Sequence, residues 1–218
     1  MATINNTHVK EELVILLRNA DIFTTAQRGV TTIAETFNGD ASETEFVVSN
    51  LNIKNVRTIT ISAVEQTFGT DYLVNYKTGT ITFTTAPASG VGNISISYDY
   101  GNTDKIYGEI PRVDLTLSSY PRIGVQVTGT RTSEGALDGS VNYTDFLISV
   151  YIYADKSNDV DSYSYTTRQT FLTNKKNIYY LRYITPVGET SIRNEDGRNN
   201  KIEFKTIDFI APLNEEIN

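Results

Sequence analysis

The sequence contains no cysteine and no tryptophan, and its 218 residues include a single histidine, His8, and five prolines. Without cysteine the chain has no disulfide framework, no thiolate metal ligand and no cysteine nucleophile. A single histidine leaves a zinc hydrolase without its usual ligands and a serine nucleophile without an imidazole base. We expect the His8 side chain to be solvated at the edge of a helix. These absences predict that the protein is not an enzyme and holds neither a metal ion nor another cofactor.

Long apolar runs are also missing. The first residues, Met1–Asn6, contain neither a basic region nor an apolar core of signal-peptide length. No segment approaches the roughly 18 apolar residues that a membrane span needs, and no glycine-rich stretch is followed by the lysine of a phosphate-binding loop. The sequence therefore predicts a soluble protein that is made in a cytoplasm and has no membrane partner.

Acidic residues outnumber basic ones, and the formal net charge is −7. Affinity for nucleic acid requires a basic face, so direct binding is disfavoured, although DNA could pass such a surface without sticking. Solubility alone is the simpler explanation of the charge. The carboxylates available for acid–base chemistry are interpreted as turn and cap residues: Asp71, Asp99, Asp104, Asp155, Asp159 and Asp161.

The composition of the rest of the chain indicates β-structure. Tyr and Phe are abundant, at 14 and 9 residues, and aromatic side chains suit a pleated surface. Apolar residues alternate with Thr or Ser in Val56–Ile61, Thr80–Thr84 and Ile94–Tyr98, which predicts antiparallel strands with one solvated face. Lys77–Gly79 and Ala86–Gly90 carry the glycine and proline signals of the turns between them.

Two segments have the periodicity of helices. Apolar residues recur every three or four positions from Val9 to Ala20, and a second helix is predicted to start at Ser157. Further strands are predicted at Val113–Leu117, Ile123–Val127, Phe146–Ala154, Ile178–Ile184 and Ile202–Ile210. The Gly-, Ser- and Thr-rich segment between them, Arg131–Asn142, is predicted to be a mobile loop.

The order of these elements predicts an α+β fold. A mixed or antiparallel sheet with two flanking helices would be built from residues 1–34 and 102–218. Residues 35–101 would form an inserted all-β, antiparallel subdomain of sandwich or barrel type.

The predicted insertion resembles a small β-module that recurs in virion proteins of tailed bacteriophages. The resemblance lies in Phe37–Ser42, in Asp71-Tyr72 and in Thr80–Gly90, and the module covers roughly a third of the chain. It implies a structural protein of a virus particle.

The flanking parts resemble the tail terminator, or tail-completion, family. The similar features are the helix Val9–Ala20, the strand start Tyr120–Val125, the strand Phe146–Tyr153 and the helix after Ser157. The resemblance implies a hexameric ring that caps the tail tube, ends its polymerisation and joins it to the connector, or head-completion protein, of the head. It also implies that the protein is located in the tail or neck of the virion and is assembled in the host cytoplasm.

A ring of this kind would work by surface complementarity, so its site residues would be contact residues. Strand edges and the Arg131–Asn142 loop are the expected contact elements. The acidic candidates for a lumen through which DNA slides are Glu134, Asp138, Asp159 and Asp161. Another virion component, such as a head–tail stopper, a collar or a tail-tube protein, remains an alternative. A carbohydrate-binding or adhesion module is a further alternative, in which the Tyr-rich predicted insertion, residues 35–101, would provide aromatic rings on which a sugar stacks.

Overall fold

The computed structural model describes residues 6–51, 53–101, 104–108, 120–134, 142–175, 178–197 and 200–213. In chain order their elements are α1 (Asn6–Asn19), α2 (Thr25–Arg28), β1 (Thr31–Gly39), β2 (Glu45–Val47), β3 (Ile53–Ile61), β4 (Val64–Glu65), β5 (Tyr72–Asn75), β6 (Thr80–Phe83), β7 (Gly90–Tyr100), β8 (Ile106–Tyr107), β9 (Arg122–Glu134), β10 (Asn142–Ala154), α3 (Ser157–Thr173), β11 (Thr185–Glu189), β12 (Arg193–Gly197) and β13 (Asn200–Pro212).

The chain divides into two compact units. One consists of Met1–Ile22 with Lys105–Asn218, and the other of Phe23–Asp104. The second unit contains α2 and the strands β1 to β7, and the first contains the remaining elements. The predicted insertion, 35–101, is shorter than this second unit because α2 and the beginning of β1 pack with the β-strands.

The unit Phe23–Asp104 is built from two antiparallel sheets with strand orders β1-β7-β3-β4 and β2-β6-β5. Its strands alternate as the sequence does, so that one face of each sheet is apolar. Those faces share a core in which Phe46 packs edge-on against Phe83, with Ile81, Ile94 and Ile96 fully buried. Burial of this alternating apolar set is what fixes the strand register.

The other unit contains a sheet of strand order β11-β13-β10-β9-β8, with β12 also paired to β13. The pairs are antiparallel apart from β8 and β9. Helix α1 packs on β8 and β9, and α3 packs on β10 and β13. The Phe171 ring of α3 meets Phe209 of β13 edge-on at 5.0 Å between centroids, which places this unit's core between helix and sheet.

The α+β class is confirmed, and the described residues contain three helices, of which α2 has a single turn. The predicted strand Ile178–Ile184 is wrong: there the described backbone makes one isolated bridge, between Leu181 and Leu213. The physical reason is that the amide groups of Tyr179 and Tyr180 bond to the carboxylate of Glu12 instead of to a neighbouring strand.

Candidate interaction surfaces

The longest hairpin of the chain is formed by β9 and β10, which pair from Arg122 opposite Tyr153 to Glu134 opposite Asn142. The half of β9 near Arg122 is largely buried, whereas most side chains from Thr128 to Ser133 are exposed. We call the outer half, residues 128–134 with 142–147, the arm. Among the described residues β8 pairs with Ile123 and Gly124 of β9, and none pairs with the outer edge of the arm, which we call the open edge.

The backbone groups on that open edge follow from the pairing. The Ile123 amide donates to Lys105 O at 2.8 Å, so Ile123 directs its backbone groups away from β10. Successive residues of a strand alternate in this respect. A bulge between Val127 and Gly129 shifts the alternation by one residue. Thr130 and Thr132 therefore present their N–H and C=O groups to the open edge.

The structure corrects the predicted loop Arg131–Asn142. Strand β9 continues through Glu134 and β10 begins at Asn142, so both ends of that segment are paired strands. Alternation was hidden from sequence reasoning because Thr, Ser and Gly occupy both faces of an arm that buries little. Arg131 is exposed, opposite Asp145 in the ladder. Asp138 lies outside the described residues, as does the predicted strand Val113–Leu117.

The two acidic residues predicted at the start of the second helix are in the first turns of α3 and do not act as a pair. Residues two apart on a helix point in different directions. Asp161 is bound to Lys205, with Oδ1 3.0 Å from Nζ, and Lys205 also contacts Glu189. Burial lowers the pKa of Lys205, but the hydrogen bonds to Glu189 and Asp161 outweigh it and raise the pKa above its ordinary value. The carboxylate of Asp161 is thus paired with a lysine side chain.

Sequence reasoning missed a buried ionic cluster in the unit Phe23–Asp104. Arg28 is fully buried, and its guanidinium reaches Asp99 at 2.7 Å, Asp104 at 2.8 Å and the amide oxygen of Asn55 at 2.9 Å. Asp99 also accepts from Arg57 at 2.8 Å. The only sequence signal for the position of Arg28 is the capping box formed by Thr24 and Gln27, which starts the short helix α2.

The environment of Asp99 favours the ionised form of its carboxyl group. Burial raises the pKa of Asp99, but hydrogen bonds from Arg57, Thr32 and Arg28 outweigh burial and hold the pKa below its ordinary value. Buried charges that are paired and hydrogen-bonded support the fold, and removing one partner of such a pair strongly destabilises the folded protein. Asp71, the third carboxylate of this unit considered for catalysis, accepts from the Thr67 amide at 2.7 Å in a turn.

Another buried carboxylate, Glu12 of α1, accepts hydrogen bonds from the amides of Tyr179 and Tyr180. Burial raises the pKa of Glu12 to about 7, against the opposing effect of these two hydrogen bonds. The His8 ring, predicted to be solvated, is half-buried and stacks on Tyr180 with ring centroids 5.4 Å apart. These contacts join α1 to the segment that leads from α3 to β11.

Exposed apolar side chains differ between the two units. Within the described part of Phe23–Asp104 the large ones are all aliphatic: Ile33, Val47, Leu51, Val64, Leu73 and Val91. In the other unit they include Tyr143, which lies on the arm, together with Tyr165 and Tyr183. The described part of the unit Phe23–Asp104 therefore offers little exposed aromatic surface on which a ligand could stack.

The described residues contain no group of three or more acidic or histidine side chains placed to hold a metal ion. Among those same residues, no helix is long and apolar enough to cross a membrane. Comparison with known protein families and with curated proteins found no match to this chain.

Proposed function

We propose that the protein is a structural virion protein of a tailed virus, a tail terminator that forms a ring at the head–tail junction. The observation that carries the proposal is the arm of β9 and β10, with its exposed side chains and a backbone edge that no described residue pairs with. An open strand edge is a template for pairing with another chain. A subunit whose sheet ends in such an edge is suited to assembly, and the resemblance of the sequence to the tail-terminator family agrees with this.

The finer architecture belongs to the same proposal. The sheet of β8 to β13 is the ring-forming body, flanked by α1 and α3, and Phe23–Asp104 is an inserted accessory module. Subunits join through the arm, and one face of the ring binds the last tail-tube ring and stops its growth. The opposite face then offers a docking site for the head connector. DNA passes through a lumen whose acidic groups repel the phosphates.

The test begins with the mass of the purified protein by light scattering, together with negative-stain imaging. We expect closed rings near six times the chain mass of 24.3 kDa. Long tubes would instead identify a tail-tube protein. A monomer that also fails to bind added tail tubes would overturn the assignment.

A matched pair of variants tests the part played by the arm. Thr132→Pro removes an outward N–H from the open edge, where proline is tolerated because no ladder bond is lost. Thr132→Ala keeps that N–H and trims the same exposed side chain. We expect the proline variant to lose the ring and the alanine variant to keep it. Rings of equal stability in both would show that subunits do not join through this edge.

The carbohydrate-binding alternative depends on exposed aromatic rings in the unit Phe23–Asp104. The exposed large apolar residues described there are aliphatic, so this observation gives a sugar-stacking platform no support.

A further inference from the structure

Strand β1 is a second open edge, in the unit Phe23–Asp104. Among the described residues it pairs only with β7, and its register is unbroken from Thr31 to Phe37. Most of its side chains are exposed, including Ile33 at 37%. The stretch contains neither proline nor lysine, the residues that commonly protect an edge from pairing. It is therefore a regular edge whose outer side no described residue pairs with.

The groups that β1 offers to a partner can be assigned from the neighbouring strands. Asn93 O of β7 accepts from the Ser62 amide, so Asn93 faces β3 and the alternate residue Ile94 faces β1. Ile94 lies opposite Phe37, so Phe37, Glu35 and Ile33 bond inward to β7. The N–H and C=O groups of Thr32, Ala34 and Thr36 consequently point out from the edge.

The other edges of this unit do not match β1. On the far side of its sheet, β3 has two register shifts against β7, and β4 covers its end. Bulges of this kind interrupt a ladder. The edge strands of the second sheet, β2 and β5, have only three and four residues. Among the described strand edges of two copies of this unit, the one regular edge long enough to pair with β1 is the other β1.

We propose that β1 pairs antiparallel with β1 of a second copy of the chain, with the two-fold axis at Ala34. This register uses the whole stretch Thr31–Phe37 and makes three hydrogen-bonded residue pairs. Thr32 then faces the partner's Thr36, which is a favourable cross-strand pair. The interface is isologous and closes on two copies, so it cannot grow into a fibre.

Charge supports the same register. Glu35 is the one ionisable residue of β1, and its carboxylate accepts from the Ser49 hydroxyl at 2.8 Å and from Tyr98. Pairing about Ala34 places Glu35 opposite Ile33, whereas pairing about Glu35 would oppose two carboxylates. This contact is separate from the ring proposal, since it uses the other unit and joins copies in twos.

Disulfide trapping tests the register without background, because the chain has no cysteine. Directly opposed, hydrogen-bonded residues of an antiparallel pair have Cα atoms about 5.5 Å apart, a separation that a disulfide spans. We expect full-length Ala34→Cys to form a cross-linked dimer under mild oxidation about tenfold faster than Thr36→Cys. Thr36 is equally exposed on the same strand but lies away from its own copy in this register. Equal rates, or no cross-linking of Ala34→Cys, would overturn the proposal.

A charge-swap pair gives an independent measurement of mass. Ala34→Lys and Ala34→Glu each place like charges directly across the two-fold axis, so each alone should lose β1 pairing. An equimolar mixture should restore it, and a concentration series reaching about 1 mM detects a weak contact. A mixture that associates no better than either variant alone would show that β1 does not pair with β1 of a second copy.

Discussion

At the scale of single residues, the buried carboxyl group of Glu12 has a pKa well above its ordinary value. It lies in α1 and accepts hydrogen bonds from the amides of Tyr179 and Tyr180. The helical periodicity of the sequence, which begins at Val9, predicts that Glu12 lies in the first turn, where the helix dipole would favour it. That prediction is wrong, because α1 begins at Asn6 and its first turn contains no acidic residue. The actual role of Glu12 depends on a segment more than 160 residues away in the chain, which no local pattern can reveal.

The raised pKa of Glu12 predicts a pH-dependent free energy of unfolding. The ordinary value of 4.5 becomes about 7 in the folded protein, so the folded state holds this proton more tightly than the unfolded state. The contribution of Glu12 is therefore most favourable below pH 4.5, declines as the pH rises to about 7, and is constant above that. The total decline is about 3 kcal/mol.

Denaturant titrations at several pH values check this prediction against Glu12→Gln, which cannot ionise. The unfolding free energy of Glu12→Gln, relative to the natural chain, should rise by about 3 kcal/mol between pH 4.5 and 7.5. The exposed neighbour Glu11 provides the control, because Glu11→Gln should show no comparable rise. A difference that stays constant across this range for Glu12→Gln would contradict the assignment.

At the scale of an element, helix α3 buries hydroxyl groups, and burial is unfavourable for a hydroxyl that makes no hydrogen bond. Thr167 is fully buried, and its Oγ1 has no hydrogen-bond partner among the described residues. Thr170, one turn later, donates to Thr166 O at 2.9 Å. Thr167→Val should therefore raise the free energy of unfolding by about 1 kcal/mol, since it removes an unpaired polar group at nearly constant volume.

The matched control for Thr167→Val is Thr170→Val, which sacrifices a made hydrogen bond and should give no gain. Thermal or denaturant unfolding of both variants measures the contrast. Equal effects of the two substitutions would mean that the hydroxyl of Thr167 is satisfied after all.

Elements were predictable where burial imposes a period on the sequence. β3, β6 and β7 alternate because one face is core, and α1 carries apolar residues at helical spacing. The end of β9 from Arg131 onward was predicted as a loop because its exposed side chains form no apolar face that would reveal a strand. Arg131 and Glu134 could be proposed as contact residues from their residue types and their place in the sequence. The strand edge on which they lie depends on the strand order, which the sequence does not show.

At the scale of the whole molecule, the unit Phe23–Asp104 joins its own two ends. Arg28, near its beginning, binds Asp99 and Asp104 near its end. Gly101 lies so close to Gly29 that a Cβ added there would be 2.8 Å from the Gly29 carbonyl oxygen. β1 and β7, the first and last strands of this unit, also pair with each other. A unit with paired ends and its own two-sheet core has the features of an independently folding domain.

We therefore predict that a fragment spanning residues 23–104 folds cooperatively by itself, as followed by circular dichroism and denaturant unfolding. The fragment 35–101, with the boundaries that the sequence suggested, is the control. It lacks Arg28, Asp104 and the first four residues of β1, so Asp99 is left with fewer partners for its buried charge. Removing one partner of a buried ion pair costs about 3–5 kcal/mol, a large share of the stability of a small domain. We expect 35–101 to be unfolded or much less stable, and equal stability of the two fragments would show that the ionic cluster does not hold the ends together.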